Sequence, residues 1–304
     1  MSRVARTIVV KALLLAVAAC STPAVSPSPS AQVRWPPIVD SHVHLAYDPV
    51  ADELAHRGVL AAVDLAAPES TLGQPSPIIV LAAGPMLTHG GGYPLDEWGA
   101  AGYGVGCDDA ACVTATIDRL AEHGARVIKL ALDGDGLGPA LVPTAVAAAH
   151  AHGLEVAVHA LSDASAALAA TAGVDVLAHT PVEHLADATV AAWRGRTVIS
   201  TLAAFGGSDS AVDNLRRLRA AGVTVLYGTD LGNTHDAGPS ADEVALLRKA
   251  GLDDAAITAA MTTTPIAFWG LDLADSYLVL DGDPRHDARY LLHPREVWQR
   301  GRHL

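Results

Sequence analysis

The sequence predicts an α/β fold, a (β/α)8 TIM barrel, and three observations predict it. Short apolar β-type runs alternate with Ala-rich helical stretches from residue 37 to residue 230, and no hairpin signal joins one run to the next. Eight such runs occur. Residues 35–270 contain them, and a barrel of this type takes about 250 residues. A doubly wound sheet would use the same βα units, but it wants a Gly-rich phosphate turn after the first strand. No GxGxxG stands there.

In chain order, residues 1–20 come first. Arg3, Arg6 and Lys11 flank the apolar stretch ALLLAVAA, and small residues lead to Cys20, the layout of a secretory signal peptide. The ending Val17-Ala18-Ala19-Cys20 resembles the lipobox of bacterial lipoproteins. That resemblance implies an acylated Cys20 and a lipid-anchored protein of the bacterial cell envelope, facing the extracytoplasmic side. Residues 21–34, rich in Pro and Ser, bury too little apolar surface to fold and are expected to form a disordered tether.

The eight runs then follow: 37–42, 59–66, 77–84, 126–132, 155–160, 174–180, 197–203 and 224–230. Helices are expected over 139–152, 162–172 and 208–221, each ended by a Gly (Gly153, Gly173, Gly222), and over 242–251 and 253–261. After these the chain turns to short β-type pieces, LVLDG and REVWQRGR, which suit a small sheet in residues 271–304. Cys107 and Cys112 are expected either as a small-loop disulfide, which an oxidising compartment favours, or as two free thiols. The chain carries 33 acidic against 20 basic residues, a net charge of −13. Such a balance does not suit a nucleic-acid partner.

In a barrel the chemistry sits at the C-terminal ends of the strands, so the polar residues ending the runs matter most. His42 and His44 end the first run, Lys129 lies in the fourth, His159 ends the fifth, His179 the sixth and Asp230 the eighth. Taken singly, each has an ordinary reading: a hydrogen-bonded histidine, a turn or cap aspartate, an outward lysine. Together they place four imidazoles, one amine and one carboxylate at one end of five strands, which is the donor set of a divalent-metal site. Lys129 is one of two lysines beyond the signal peptide, and it interrupts an apolar run where an unpartnered ammonium is costly.

These residues resemble the metal-dependent amidohydrolase superfamily, in its imidazolonepropionase- and prolidase-like branch. The His-x-His, Lys, His, His, Asp order matches, and GPMLTHGGGYP, GLEVAVHA, GVDVLAHTP and VLYGTDLGN are similar to its loops and strands. The resemblance implies two divalent metal ions, with Zn foremost and Mn, Co or Fe as alternatives. His42, His44 and Asp230 would hold one ion, and His159 and His179 the other. A carboxylated Lys129 would span both, and Asp230 would move the proton. It implies hydrolysis of an amide-type bond in a cyclic amide or dipeptide-like small molecule. A lactonase or phosphotriesterase-like hydrolase is the alternative on the same residues, and a non-catalytic solute-binding lipoprotein is the alternative outside enzymes. Strands before His-x-His are missing relative to the family, so residues 271–304 are expected to be a truncated auxiliary β domain. Asp40 is expected one layer deeper, orienting the site. His89, Tyr93, His184 and His235 lie on loops over the mouth and are candidate substrate contacts.

Overall fold

The eight runs become eight parallel strands in two sheets. Ile38–Val43, Val59–Asp64 and Ile79–Ala82 form the first. Val127–Ala131, Glu155–His159, Val176–Leu177, Thr197–Ile199 and Thr224–Leu226 pair in that order in the second. Backbone hydrogen bonds join the two sheets at both edges. Ser41 N donates to Tyr227 O at 2.9 Å and Asp230 N to His42 O at 2.8 Å on one side, and Arg126 N to Ala82 O at 2.9 Å on the other. The computed structural model describes residues 32–304. The signal peptide, Cys20 and the tether up to residue 31 lie outside the described residues.

Two apolar layers follow from the period-2 alternation of a strand. Val39, Val63, Leu81, Val127, Ala157, Val176, Ile199 and Leu226, one from each strand, belong to one buried cluster. The residues between them, such as Leu60, Ile128 and Val158, pack against the helices in a second cluster. Lys129 and His159 stand two residues after Val127 and Ala157, so each continues the face of the first cluster.

The helices start where short polar side chains can accept the free amides. Ser162 caps Asp163–Ala172 in a reciprocal pair with Ser165, Ser208 caps Asp209–Ala220, and Asp253 caps Asp254–Met261. The expected helix over 139–152 is shorter, Val142–Ala151. Among the described residues, no helix is long and apolar enough to cross a membrane.

Two features differ from the sequence expectation. Val33–Trp35, whose first two residues were assigned to the tether, is a strand: Val33 pairs antiparallel with Leu280 and Trp35 with Leu278. Its apolar–polar–apolar alternation makes one half-buried face, which the Ser/Pro stretch before it lacks. It completes a four-stranded antiparallel sheet with Tyr277–Leu280, Glu296–Gln299 and Arg302–His303. The second feature is a pair of short strands, Met86–Thr88 and Gly104–Gly106, added to the Val127–Ala131 edge through Leu87 and Leu130. Cys107 and Cys112 form a disulfide just after them.

Candidate metal centre

All six strand-end residues face one cavity of about 280 Å³, together with Met86, Tyr93, Glu97, Trp98, Ala204, Phe205 and Asn233. Strand one supplies His42, the residue just past its end is His44, and the turn after strand eight supplies Asp230. The backbone makes room for this approach. Gly228 has no Cβ, and one built there would stand 2.5 Å from Ile199 Cγ2 and 3.1 Å from His42 Cβ. Asp230 itself adopts a left-handed φ of 58°, an uncommon state for a residue with a Cβ. Asp40 fastens the same junction from beneath: its carboxylate accepts from His42 N at 3.1 Å, Thr229 N at 3.0 Å and Thr229 Oγ1 at 2.5 Å. It contacts none of the six side chains' donor atoms, in keeping with an orienting acid.

The inner atoms are close, and several of them are unpaired. His42 Nε2 and His44 Nε2 lie 3.4 and 3.1 Å from the same Asp230 oxygen. Ligand-capable atoms of His42, His44 and Asp230 all fall within 4.8 Å of one another. The His42 and His179 rings are 4.4 Å apart and those of His159 and His179 are 5.0 Å apart, so the second pair stands beside the first. His42 Nδ1 is 2.8 Å from Ala178 O. A carbonyl only accepts, so Nδ1 carries the proton and Nε2 presents a lone pair. His179 Nδ1 is engaged by Thr201 Oγ1 at 3.0 Å, a hydroxyl that can accept from it or donate to it. His42 Nε2, His44 Nδ1 and Lys129 Nζ are buried without a hydrogen-bond partner, and a fold seldom leaves such groups unsatisfied without a reason.

Electrostatics favour uncharged nitrogens around one anion. Burial, reinforced by Lys129, holds His42 well below the usual imidazole range and lowers His159 to about 4. Burial and His42 do the same to His179. Burial lowers the Lys129 amine to about 7, against a weaker opposing pull from Asp230. Burial alone would raise Asp230, but His42, His44 and His179 outweigh it and hold the carboxyl well below its ordinary range. Asn233 Nδ2 donates to Asp230 Oδ2 at 3.1 Å and fixes its rotamer. Neutral imidazoles at His42, His159 and His179 and an ionised carboxylate at Asp230 are the protonation states in which such groups ligate a cation.

Aromatic rings wall the mouth. Tyr93 lies 4.8 Å from His159, Trp98 5.4 Å from His44 and Phe205 4.9 Å from His179, ring centre to ring centre. The loop between the two added strands carries Tyr93, Glu97 and Trp98. Of the four candidate substrate residues, Tyr93 is in the wall, whereas His89, His184 and His235 are not among the lining residues. His89 turns to Asp108 at 2.6 Å, His184 lies 3.5 Å from Arg217 on the outside, and His235 is exposed. Trp98, Glu97, Phe205 and Asn233 escaped the sequence reading because isolated loop residues have no period. Phe205 carried a usable signal, being one of two Phe in the chain and lying just past a strand run.

No family model matches the chain. Uncharacterized proteins of Mycobacterium bovis and Mycobacterium tuberculosis are 29% identical over 246 residues, 66% of this chain. The match spans 64% of the length of those curated relatives. Among solved structures, a Xaa-Pro dipeptidase with bound methionine in the active site is similar at a TM-score of 0.74 and 17% identity, over 90% of this chain and 87% of that one. A putative prolidase from Bifidobacterium longum is similar at 0.71 and 20%, over 90% and 81%. A. niger ochratoxinase is similar at 0.72 and 18%, over 89% and 82%. What these likenesses show is a shared α/β fold.

Proposed function

We propose that the chain is a metal-dependent amidohydrolase that opens an amide-type C–N bond in a small molecule. The observation that carries this reading is the set of buried, unpartnered donors, His42 Nε2, His44 Nδ1 and Lys129 Nζ, gathered with His159, His179 and Asp230 in one cavity. The edge-to-edge bonds between the two sheets support a closed (β/α)8 barrel, and the four-stranded sheet supports a reduced auxiliary domain. The fold shared with a dipeptidase, a prolidase and ochratoxinase agrees with hydrolysis.

His42, His44 and Asp230 would hold one divalent ion, and His159 and His179 a second. A divalent ion there supplies Lewis acidity, which polarises a carbonyl and makes water a stronger acid. Lys129, whose amine burial lowers to about 7, has a free-base fraction near neutral pH that would add CO2: its nitrogen bonds the carbon, one proton leaves to solvent, and the resulting carbamate would be an anionic oxygen donor at the site. Asp230, ionised and oriented by Asn233, would take a proton from water and return it to the leaving amine. Tyr93, Trp98 and Phe205 would exclude bulk water and strengthen every charge interaction inside. The lipobox-like VAAC ending at Cys20 supports anchoring to the envelope membrane.

Elemental analysis after metal-supplemented expression tests the reading, with a hydrolysis screen over N-acyl amino acids, cyclic imides, dipeptides and lactones. At least about one equivalent of Zn, Mn or Co per chain is expected from a site of this ligand count. Less than that, with no turnover, sinks it.

A further inference from the structure

The cavity wall carries information about the substrate that the six strand-end residues do not. At about 280 Å³ it is at the small end of ligand pockets, which run roughly 300–1,000 Å³. Its wall is aromatic on three sides, from Tyr93, Trp98 and Phe205. Its charged side chains, among the described residues, are Lys129 and Asp230 on the floor and Glu97 on the wall. No arginine lines it, although arginine supplies the two-pronged donor that suits a carboxylate. Glu97 is exposed and forms no ion pair with any described residue, whereas the acid beside His159, Asp133, is already engaged by Leu161 N, Ser162 Oγ and Ser165 Oγ.

From this wall we infer that the site selects a small amide without a carboxylate, with an aromatic or apolar group against Tyr93, Trp98 and Phe205 and an amine or other cationic group toward Glu97. The inference rests on the hydrolase reading for the bond that is cut, but the wall chemistry is a separate observation. It narrows the substrate away from dipeptides and N-acyl amino acids. The carboxylate of such a molecule would have to sit beside Glu97, a like charge, with no guanidinium among the lining residues to pair it, so repulsion disfavours it there. A protonated amine in the same place gains a counter-charge and stacks its carbon stem on the rings.

The test uses metal-loaded protein and three amides of matched length: N-(2-aminoethyl)benzamide, N-propylbenzamide and N-benzoyl-β-alanine, with benzoate release as the readout. The cationic amide should exceed the neutral one by about two- to fivefold in kcat/KM, the range of a solvent-exposed ion pair. The anionic one should fall about two- to fivefold below the neutral one, the same solvent-exposed interaction with its sign reversed. Glu97→Gln should bring the cation-to-neutral ratio to about one, and Glu97→Arg should invert the order of cation and anion. A rate for N-benzoyl-β-alanine equal to or above that of N-propylbenzamide would overturn the inference while leaving the hydrolase reading intact.

Calorimetric binding of 2-phenylethylamine and 2-phenylethanol to the same protein decides the matter where no amide is turned over. Tighter amine binding that disappears in Glu97→Gln keeps the wall assignment, and the hydrolase reading is then decided separately by the metal content and the substrate screen. Equal binding of amine and alcohol, or no binding of either, discards the assignment.

Discussion

Glu243 sits in the helix Ala241–Lys249 and is fully buried, yet no lysine or arginine pairs with it among the described residues. One of its oxygens accepts from Ala203 N at 2.7 Å, the start of the turn Ala203–Phe205 that carries a ring of the cavity wall. Burial raises its carboxyl from 4.5 to about 7, against the weaker opposing effect of polar neighbours such as the Ala203 amide. The sign follows from linkage. Between those values the folded chain keeps a proton that the unfolded chain releases, so stability is lost as pH rises from 4.5 to about 7 and is level above. A pKa difference of that size corresponds to roughly 3 kcal/mol, of which about 2.5 kcal/mol falls between pH 5 and pH 8. Glu243→Gln keeps the acceptor for Ala203 and cannot ionise. Urea unfolding of both proteins at pH 5 and pH 8, in chelator so that the imidazole cluster titrates alike in each, isolates Glu243 as the difference. The wild type should lose about 2 to 3 kcal/mol more than the variant over that interval. Equal losses would refute the buried neutral carboxyl and leave Glu243 as an ordinary acid.

Asp230→Asn should retain bound metal by elemental analysis while kcat falls by about 10²- to 10⁴-fold, the usual worth of a positioned proton carrier; near-normal turnover would remove Asp230 from that role. Asp40→Ala strands the Thr229 and His42 amides and the Thr229 hydroxyl in a dry site. It should therefore cost at least about 3 kcal/mol in urea unfolding, with Asp40→Asn recovering part of it. The double change Cys107→Ser, Cys112→Ser should lower unfolding free energy by about 2 kcal/mol, the chain-entropy value for so short a loop. An unchanged midpoint would show that the disulfide constrains nothing the fold has not already fixed.

The parts of the site that lie on strands were legible in the sequence because strands announce themselves. Lys129 and His159 could be singled out because one interrupts and the other ends a short apolar run, and the structure places both in the cavity wall. The wall was not legible. Trp98 and Glu97 reach the cavity through the loop between Met86–Thr88 and Gly104–Gly106, two strands too short to show a period. His89 looked equivalent to Tyr93 in sequence, four residues away on the same glycine-rich loop. A single aspartate, Asp108, draws His89 outward, and only tertiary structure brings that partner within 2.6 Å. The small sheet was half legible: its C-terminal strands alternate visibly, but Val33–Trp35 is three residues long and follows directly on a Ser/Pro run.

The distribution of the candidate ligands along the chain has a physical consequence for how the site comes into being. His42 and His44 meet Asp230 only when strand one reaches strand eight, a closure that joins residues 186 or more apart in the chain. Forming such a contact carries the loop-closure entropy of most of the fold, so it needs strong local reasons to hold. Those reasons are Asp40 on Thr229, the Asp230 amide on the His42 carbonyl, and Gly228, whose missing side chain lets His42 lie against strand eight. None of them is a ligand. A cation bound by His42, His44 and Asp230 would stabilise only the closed arrangement, since the separated strands offer no such cluster. On that reading, the residues that shape the junction would act on metal affinity through geometry, and a bound metal would in turn stabilise the junction.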